Sequence, residues 1–230
     1  MQTVLAAPLK PKAPFSLPNS TQRATMLGHT GSGKTQAGVW LLSNAEIETM
    51  PWVCIDYKGD ELINSIPFAQ ETGYGSVPSR PGVYILHATP KRDDAAMEDY
   101  LWRVHAQGNV GIFADEAFTM PDKDAYATLC IQGRSKHIPM INCSQRPAWI
   151  PKQVFSEADY HFSFHLNDKG DQKRVNEFAP IDYGAELPEY HSQVYRVKDR
   201  QRFILKPVPN ADTLLETFSR RLAPKRTWLR

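Results

Sequence analysis

The sequence predicts an α/β domain: a mainly parallel sheet flanked by helices. Three observations carry this. Short apolar segments alternate with helical patterns from Arg23 to about Leu205. The octapeptide Gly28-His29-Thr30-Gly31-Ser32-Gly33-Lys34-Thr35 fits G-x-x-x-x-G-K-[ST] and stands between an apolar segment and a helical one. Asn109 to Glu116 (NVGIFADE) reads as an apolar strand that ends in two acids.

In chain order, residues 1–20 hold Pro8, Pro11, Pro14 and Pro18 and read as an extended, irregular arm able to pack on a neighbour. Arg23 to Leu27 is the first strand. Thr35 to Leu42 is a helix with Val39, Leu41 and Leu42 available for burial. Trp52 to Tyr57 is a strong strand, and Val83 to His87 is expected as a peripheral one. Asp93 and Asp94 open a helix that runs to Gln107. Val110 to Ala114 forms the strand before the two acids. Asp122 to Gly133 is helical, Pro139 to Ser144 and Tyr160 to Leu166 are strands, and Asp168 to Phe178 is a polar helix. Gln193 to Val197 and Arg202 to Leu205 flank a short polar turn, which predicts a C-terminal hairpin. Ala211 to Leu222 is a terminal helix. The organisation is thus an arm at 1–20, a P-loop domain at 21–210, and a helix with basic tail at 211–230.

The octapeptide has a mechanical reading. Its glycines let the backbone turn sharply, so that successive N–H groups face one hollow able to hold phosphate oxygens. Gly28, His29, Thr30, Gly31, Ser32 and Gly33 build the hollow. Lys34 reaches the β- and γ-phosphates, and the Thr35 hydroxyl ligates Mg²⁺. The following helix adds its positive N-terminal end. The competing reading, a glycine turn beside a chance Lys-Thr, lacks the strand–turn–helix context seen here. Asp115 sits where an acid at a strand end holds Mg²⁺ through water. Glu116, the next residue, is placed to act as a general base on the attacking water. ATP and Mg²⁺ are therefore the expected cofactors.

Composition sets bounds. The chain has 230 residues, 41% hydrophobic and 23% charged, enough for one domain with a sizeable core. No run of about 18 apolar residues predicts a transmembrane helix. The N-terminus lacks the basic region of a signal peptide. Cys54, Cys130 and Cys143 have no metal-ligand spacing and read as small buried hydrophobes in a reducing compartment. The histidines show no ligand pattern. A net charge of +2 does not by itself announce nucleic acid. Basic residues do gather at Arg196 to Arg202 and Arg220 to Arg230, where solubilising surface charge is the plain alternative.

Gly133 to Pro147 (GRSKHIPMINCSQRP) joins an arginine at a helix end to a strand that finishes in Ser-Gln-Arg-Pro. Ligands in open α/β sheets bind at the carboxyl ends of strands. Gln145 is thereby placed to touch a γ-phosphate or to orient the attacking water. Four stretches together resemble the FtsK/HerA superfamily of DNA-translocating ATPases: the P-loop at 28–35, Ile55-Asp56-Tyr57-Lys58-Gly59-Asp60, Phe113-Ala114-Asp115-Glu116, and the G-R…S-Q-R-P stretch at 133–147. They cover residues 23 to about 150.

The resemblance implies a RecA-like P-loop NTPase of the additional-strand, catalytic-glutamate type. It places the strand carrying Gln145 between the P-loop strand and the strand ending in Asp115. It also implies a ring, pentamer or hexamer, in which an arginine from one subunit completes the neighbour's site. Arg134 matches that finger best and Arg146 is next; a cation at a helix C-terminus is the plain alternative for Arg134. Asp56 and Lys58 are read as a simple pair at a strand end, with no chemistry assigned. Membrane helices and an N-terminal β-domain, found in other branches, are not expected here.

A bare motor of this size resembles the genome-packaging ATPases of tailless icosahedral viruses with an internal membrane. The implied partners are double-stranded DNA, further copies of the chain and a capsid portal or vertex protein, with no direct membrane insertion. The implied location is host cytoplasm or the virion packaging vertex. Segments 58–80 and 117–123 are the expected DNA-gripping loops. Two other functions fit the same motifs: a DNA-mobilisation ATPase docked on a separate membrane protein, and an NTP-regulated scaffold.

Overall fold

The computed structural model describes residues 14–121 and 124–224. Nine strands make one sheet, in the order β3-β4-β2-β5-β6-β1-β7-β8-β9. They are β1 (Arg23–Leu27), β2 (Pro51–Asp56), β3 (Gln70–Thr72), β4 (Gly82–His87), β5 (Gly111–Ala114), β6 (Met140–Ser144), β7 (Tyr160–Ser163), β8 (Ser192–Arg196) and β9 (Gln201–Leu205). All are parallel up to β7; β8 and β9 are antiparallel. The helices are α1 (Lys34–Asn44), α2 (Glu61–Asn64), α3 (Asp94–Gln107), α4 (Asp124–Gln132), α5 (Lys152–Ser156), α6 (Lys169–Asn176) and α7 (Ala211–Leu222). This is the α/β architecture the sequence predicts and the RecA-like one the resemblance implies. β6 lies between β5 and β1, as the resemblance implies.

The central strands β1, β2, β5 and β6 are buried along their whole length. That explains why they read as unbroken apolar runs rather than alternating ones. Two apolar layers cover the sheet faces. One packs Met97, Tyr100, Leu101 and Val104 of α3 with Leu129 of α4 onto Val53, Ile55 and Ile112. The other packs Val39, Leu41 and Leu42 of α1 with Phe218 of α7 onto Met26, Phe113 and Cys143. Each fully buried large side chain contributes roughly 1.5–3 kcal/mol. All three cysteines are free and buried, as the sequence suggests.

Local chemistry fixes the helix ends. Asp168 accepts from the Asp171 N–H and Asn210 from the Thr213 N–H, so α6 and α7 begin on capping side chains. α1 begins instead on Gly33, whose φ of 90° suits glycine. A Cβ on Gly38 would lie 2.7 Å from Cys143 Sγ, so α1 rests directly on β6 through that glycine.

Several expectations change. Val83–His87 is not peripheral: β4 lies between β2 and the three-residue edge strand β3, which is too short and polar to stand out in the sequence. The short helices α2 and α5 were not expected. The described part of the N-terminal arm lies on its own sheet. Phe15 packs edge-on against Phe162 and Phe203, and Arg196 Nη1 donates to the Pro14 carbonyl at 3.0 Å. Arg196 is buried, ion-paired with Asp199 at 2.7 Å and stacked over Phe203, so it holds the hairpin together and is no solvated charge. Residues 1–13, 122–123 and 225–230, including most of the basic tail, lie outside the described residues.

Candidate functional site

Parallel strands bring their carboxyl ends to one rim of the sheet. β1 delivers residues 28–33, β5 delivers Asp115 and Glu116, β6 delivers Gln145, and β2 delivers Lys58. The octapeptide is pinned at both sides. The Gly28 N–H donates to Ser144 O at 3.2 Å, and the His29 N–H donates to His165 O at 3.1 Å. Gly31 and Gly33 hold φ of 80° and 90°. The first α1 bond, from Ala37 N–H to Gly33 O, follows at 2.9 Å. The N–H groups before it at the start of α1 have no partner within the helix and face the rim, as a phosphate cradle requires. Glycine suits position 28, because a Cβ there would sit 2.8 Å from Phe164 Cβ, which no side-chain rotation can move.

The acids meet this loop from β5. Thr35 Oγ1 donates to Asp115 Oδ1 at 3.2 Å, and Lys34 Nζ lies 3.7 Å from Glu116 Oε1. Lys34, Asp115 and Glu116 are all buried. Burial pushes the Asp115 carboxyl above its ordinary range, and Lys58, Lys34 and the Thr35 hydroxyl pull it partly back. Glu116 has a left-handed backbone, φ 59° and ψ 58°, which for a non-glycine residue costs about 1–3 kcal/mol. That turn aims its carboxylate inward. Gln145, half-buried at the same rim, accepts a hydrogen bond from the Thr30 hydroxyl.

Lys58 belongs to this group, which corrects the reading of Asp56 and Lys58 as partners. Lys58 Nζ forms an ion pair with Glu116. Burial lowers its pKa, opposed by Asp115. Asp56 is spent on backbone instead. Its Oδ1 accepts from the N–H groups of Lys58, Gly59 and Asp60 at 3.0, 2.9 and 3.2 Å, and its Oδ2 from Asn64 Nδ2 at 2.9 Å. Asp56 thereby shapes the loop that presents Lys58. The only sequence signal for Lys58 was its place in D-x-K-G-D after a strand.

The two arginines part company. Arg146 stays at the P-loop rim, 3.9 Å from Asp171 Oδ2 and over the exposed Trp149 ring at 5.4 Å. Arg134 precedes β6 and pairs with Asp159, which precedes β7, so it lies at the opposite rim. Within one chain it is remote from the P-loop.

The polar atoms suit a magnesium-bound triphosphate. Ser32 Oγ, Asp115 Oδ2 and Glu116 Oε2 are buried and have no hydrogen-bond partner. Buried oxygens left unpaired carry a substantial penalty, which a ligand removes. No cluster of three or more His, Cys, Asp or Glu exists among the described residues to cage a metal. The donor set is one carboxylate and one hydroxyl, which matches Mg²⁺ held jointly with phosphates and water.

No protein-family model matches the sequence. Over 213 residues it is 40% identical to the DNA packaging ATPase P9 of Enterobacteria phage PRD1, across 88% of this chain and 94% of that protein. The fold is similar to the genome packaging NTPase B204 of Sulfolobus turreted icosahedral virus 2, solved with AMPPCP: TM-score 0.64, 15% identity, 83% of this chain and 100% of that one. It is also similar to ATPases 2 and 3 of EssC from Geobacillus thermodenitrificans: TM-score 0.60, 10% identity, 87% of this chain and 44% of that one. The buried acid pair beside a P-loop, in a chain so close to P9 along nearly its whole length, makes this protein a P-loop ATPase belonging to the viral DNA-packaging ATPase family.

Proposed function

We propose that the protein is a ring-forming, ATP-driven double-stranded DNA translocase that packages a viral genome into a preformed capsid. One observation carries the chemistry: Glu116, buried and turned inward, lies beside Lys34 of the P-loop. Likeness to a phage packaging ATPase favours packaging over DNA mobilisation. A dedicated base argues against a scaffold that merely binds nucleotide.

The P-loop N–H groups and Lys34 hold the phosphates. Thr35 and Asp115 would hold Mg²⁺, which supplies charge neutralisation on the phosphates when bound. Glu116 takes the proton from the attacking water once its ion pair with Lys58 loosens. Gln145, hydrogen-bonded to Thr30, orients that water and reports the γ-phosphate. An arginine from a neighbouring copy stabilises charge on the transferring group, an effect worth about 10³–10⁵ in rate for such fingers. The segment after Glu116 leads away from the site. Its Phe118 packs edge-on against Trp149 at 5.9 Å, and Trp149 follows Gln145 in the chain, so both catalytic strands feed one exposed aromatic contact. Grip on DNA is expected to be electrostatic and independent of sequence. A capsid vertex protein is the proposed dock, at the virion or in the host cytoplasm. No helix among the described residues is long and apolar enough to cross a membrane.

The test is ATP turnover by the assembled protein with and without duplex DNA. Stimulation that falls as salt rises is expected; an unchanged rate at every DNA concentration sinks the translocase. The control is Glu116→Gln, which should keep ATP binding and lose turnover by about 10²–10⁴.

A further inference from the structure

The phosphate end of the site is described above; the base has no assigned place. Lys34 points to Glu116, so the γ-phosphate end of a nucleotide faces β5. The sugar and base must leave from the other end, past the first turn of α1. A cavity of about 320 Å³ opens there. It touches α1 at Gly33 and Gln36, and its walls include Phe164, Tyr190, Leu205 and Pro207. Aromatic and aliphatic walls with a few polar groups suit a flat heterocycle, and the volume lies within the range of small-ligand sites.

Tyr190 is the distinctive wall. It is half-exposed, and its φ of 60° is unusual for a bulky residue. Strain of this kind gathers at ligand clamps. The ring stands close over the P-loop: a Cβ on Gly33 would lie 3.2 Å from Tyr190 Cδ1. The segment after β9 is tied to α1 by Gln36 Nε2 donating to the Pro209 carbonyl at 2.7 Å. A larger cavity of about 570 Å³ also borders Tyr190, but it meets the loop at His29, Gly31 and Ser32, before the helix begins. It therefore lies beside the loop and not past the α-phosphate end.

We propose that Tyr190, with Leu205 and Pro207, forms the nucleobase subsite, the base lying against the Tyr190 ring. The C-terminal hairpin thus recognises the nucleotide as well as extending the sheet. This rests on the ATPase reading and adds the part of ATP that the P-loop does not read.

Two measurements without DNA test it. The first compares wild type with Tyr190→Ala and Tyr190→Phe, using ATP as substrate and inorganic tripolyphosphate, which has no base, as competitor. Loss of base stacking should raise the KM for ATP about tenfold in Tyr190→Ala, with kcat and tripolyphosphate inhibition unchanged and KM restored in Tyr190→Phe. An unchanged KM, or tripolyphosphate inhibition weakened in parallel, overturns the subsite. The second uses wild type alone, so it survives a misfolded variant. Photolysis with 8-azido-ATP should label the segments around Tyr190 or Leu205–Pro207, with protection by ATP. ATP-protected label elsewhere overturns the subsite but leaves the ATPase reading standing. No ATP-protected label anywhere overturns both.

Discussion

Glu116 is a buried carboxylate with a strained backbone, set between two lysines. Its position was legible because two acids after an apolar strand form a local signal. Lys58 was not, since its partner lies across β2 and β5 and the contact exists only once those strands pair. The electrostatics make a prediction with a definite sign. Burial raises the Asp115 carboxyl, and Lys58 counters that rise. In the proposed site Asp115 must be ionised to hold a cation, so activity should fall as pH drops through its pKa. Lys58→Met removes the counterweight, and the acid limb of the kcat–pH profile should move to higher pH. Lys58→Arg should hold it in place. An acid limb that stays put in Lys58→Met would take Lys58 out of the site's charge balance.

The elements were read well where pattern and neighbours agree. The strands ending in the P-loop, in Asp115 and in Gln145 are short, apolar and followed by turn or helix signals. Strand order is a different matter, because it depends on which strands find each other. Val83–His87 carries the same apolar signature whether it lies at the edge or inside, and β3 beside it is too polar to show. The hairpin was expected as architecture alone, since nothing local in Tyr190 or Leu205 announces a base. Contact between α1 and β6 is a tight constraint at this scale. A Cβ on Gly38 would meet Cys143 Sγ at 2.7 Å and Phe113 Cε2 at 2.8 Å. Gly38→Val should therefore cost about 1–3 kcal/mol in denaturant unfolding, with weaker ATP binding as α1 lifts from β6. Wild-type stability in that variant would show that the helix has slack.

At the scale of the whole molecule, the P-loop and Arg134 occupy opposite rims of one sheet. If Arg134 is the finger, Arg134→Ala chains bind ATP normally yet fail to fire their neighbours. Mixed with wild type, they should recover turnover at the sites that face a wild-type arginine, and the rate should follow the fraction of such junctions. Normal hydrolysis by pure Arg134→Ala would pass the role to Arg146, which stands at the P-loop rim of its own chain.

That separation of rims also bears on waste. With the cradle on one side and the proposed trigger on the other, the chain has two unlike faces, and such faces join head to tail, in a ring where the rotation closes. If Arg134 is that trigger, a lone copy carries the fuel without the spark. ATP consumption should then rise more steeply than protein concentration, and a copy adrift in an infected cell would leave the nucleotide pool untouched.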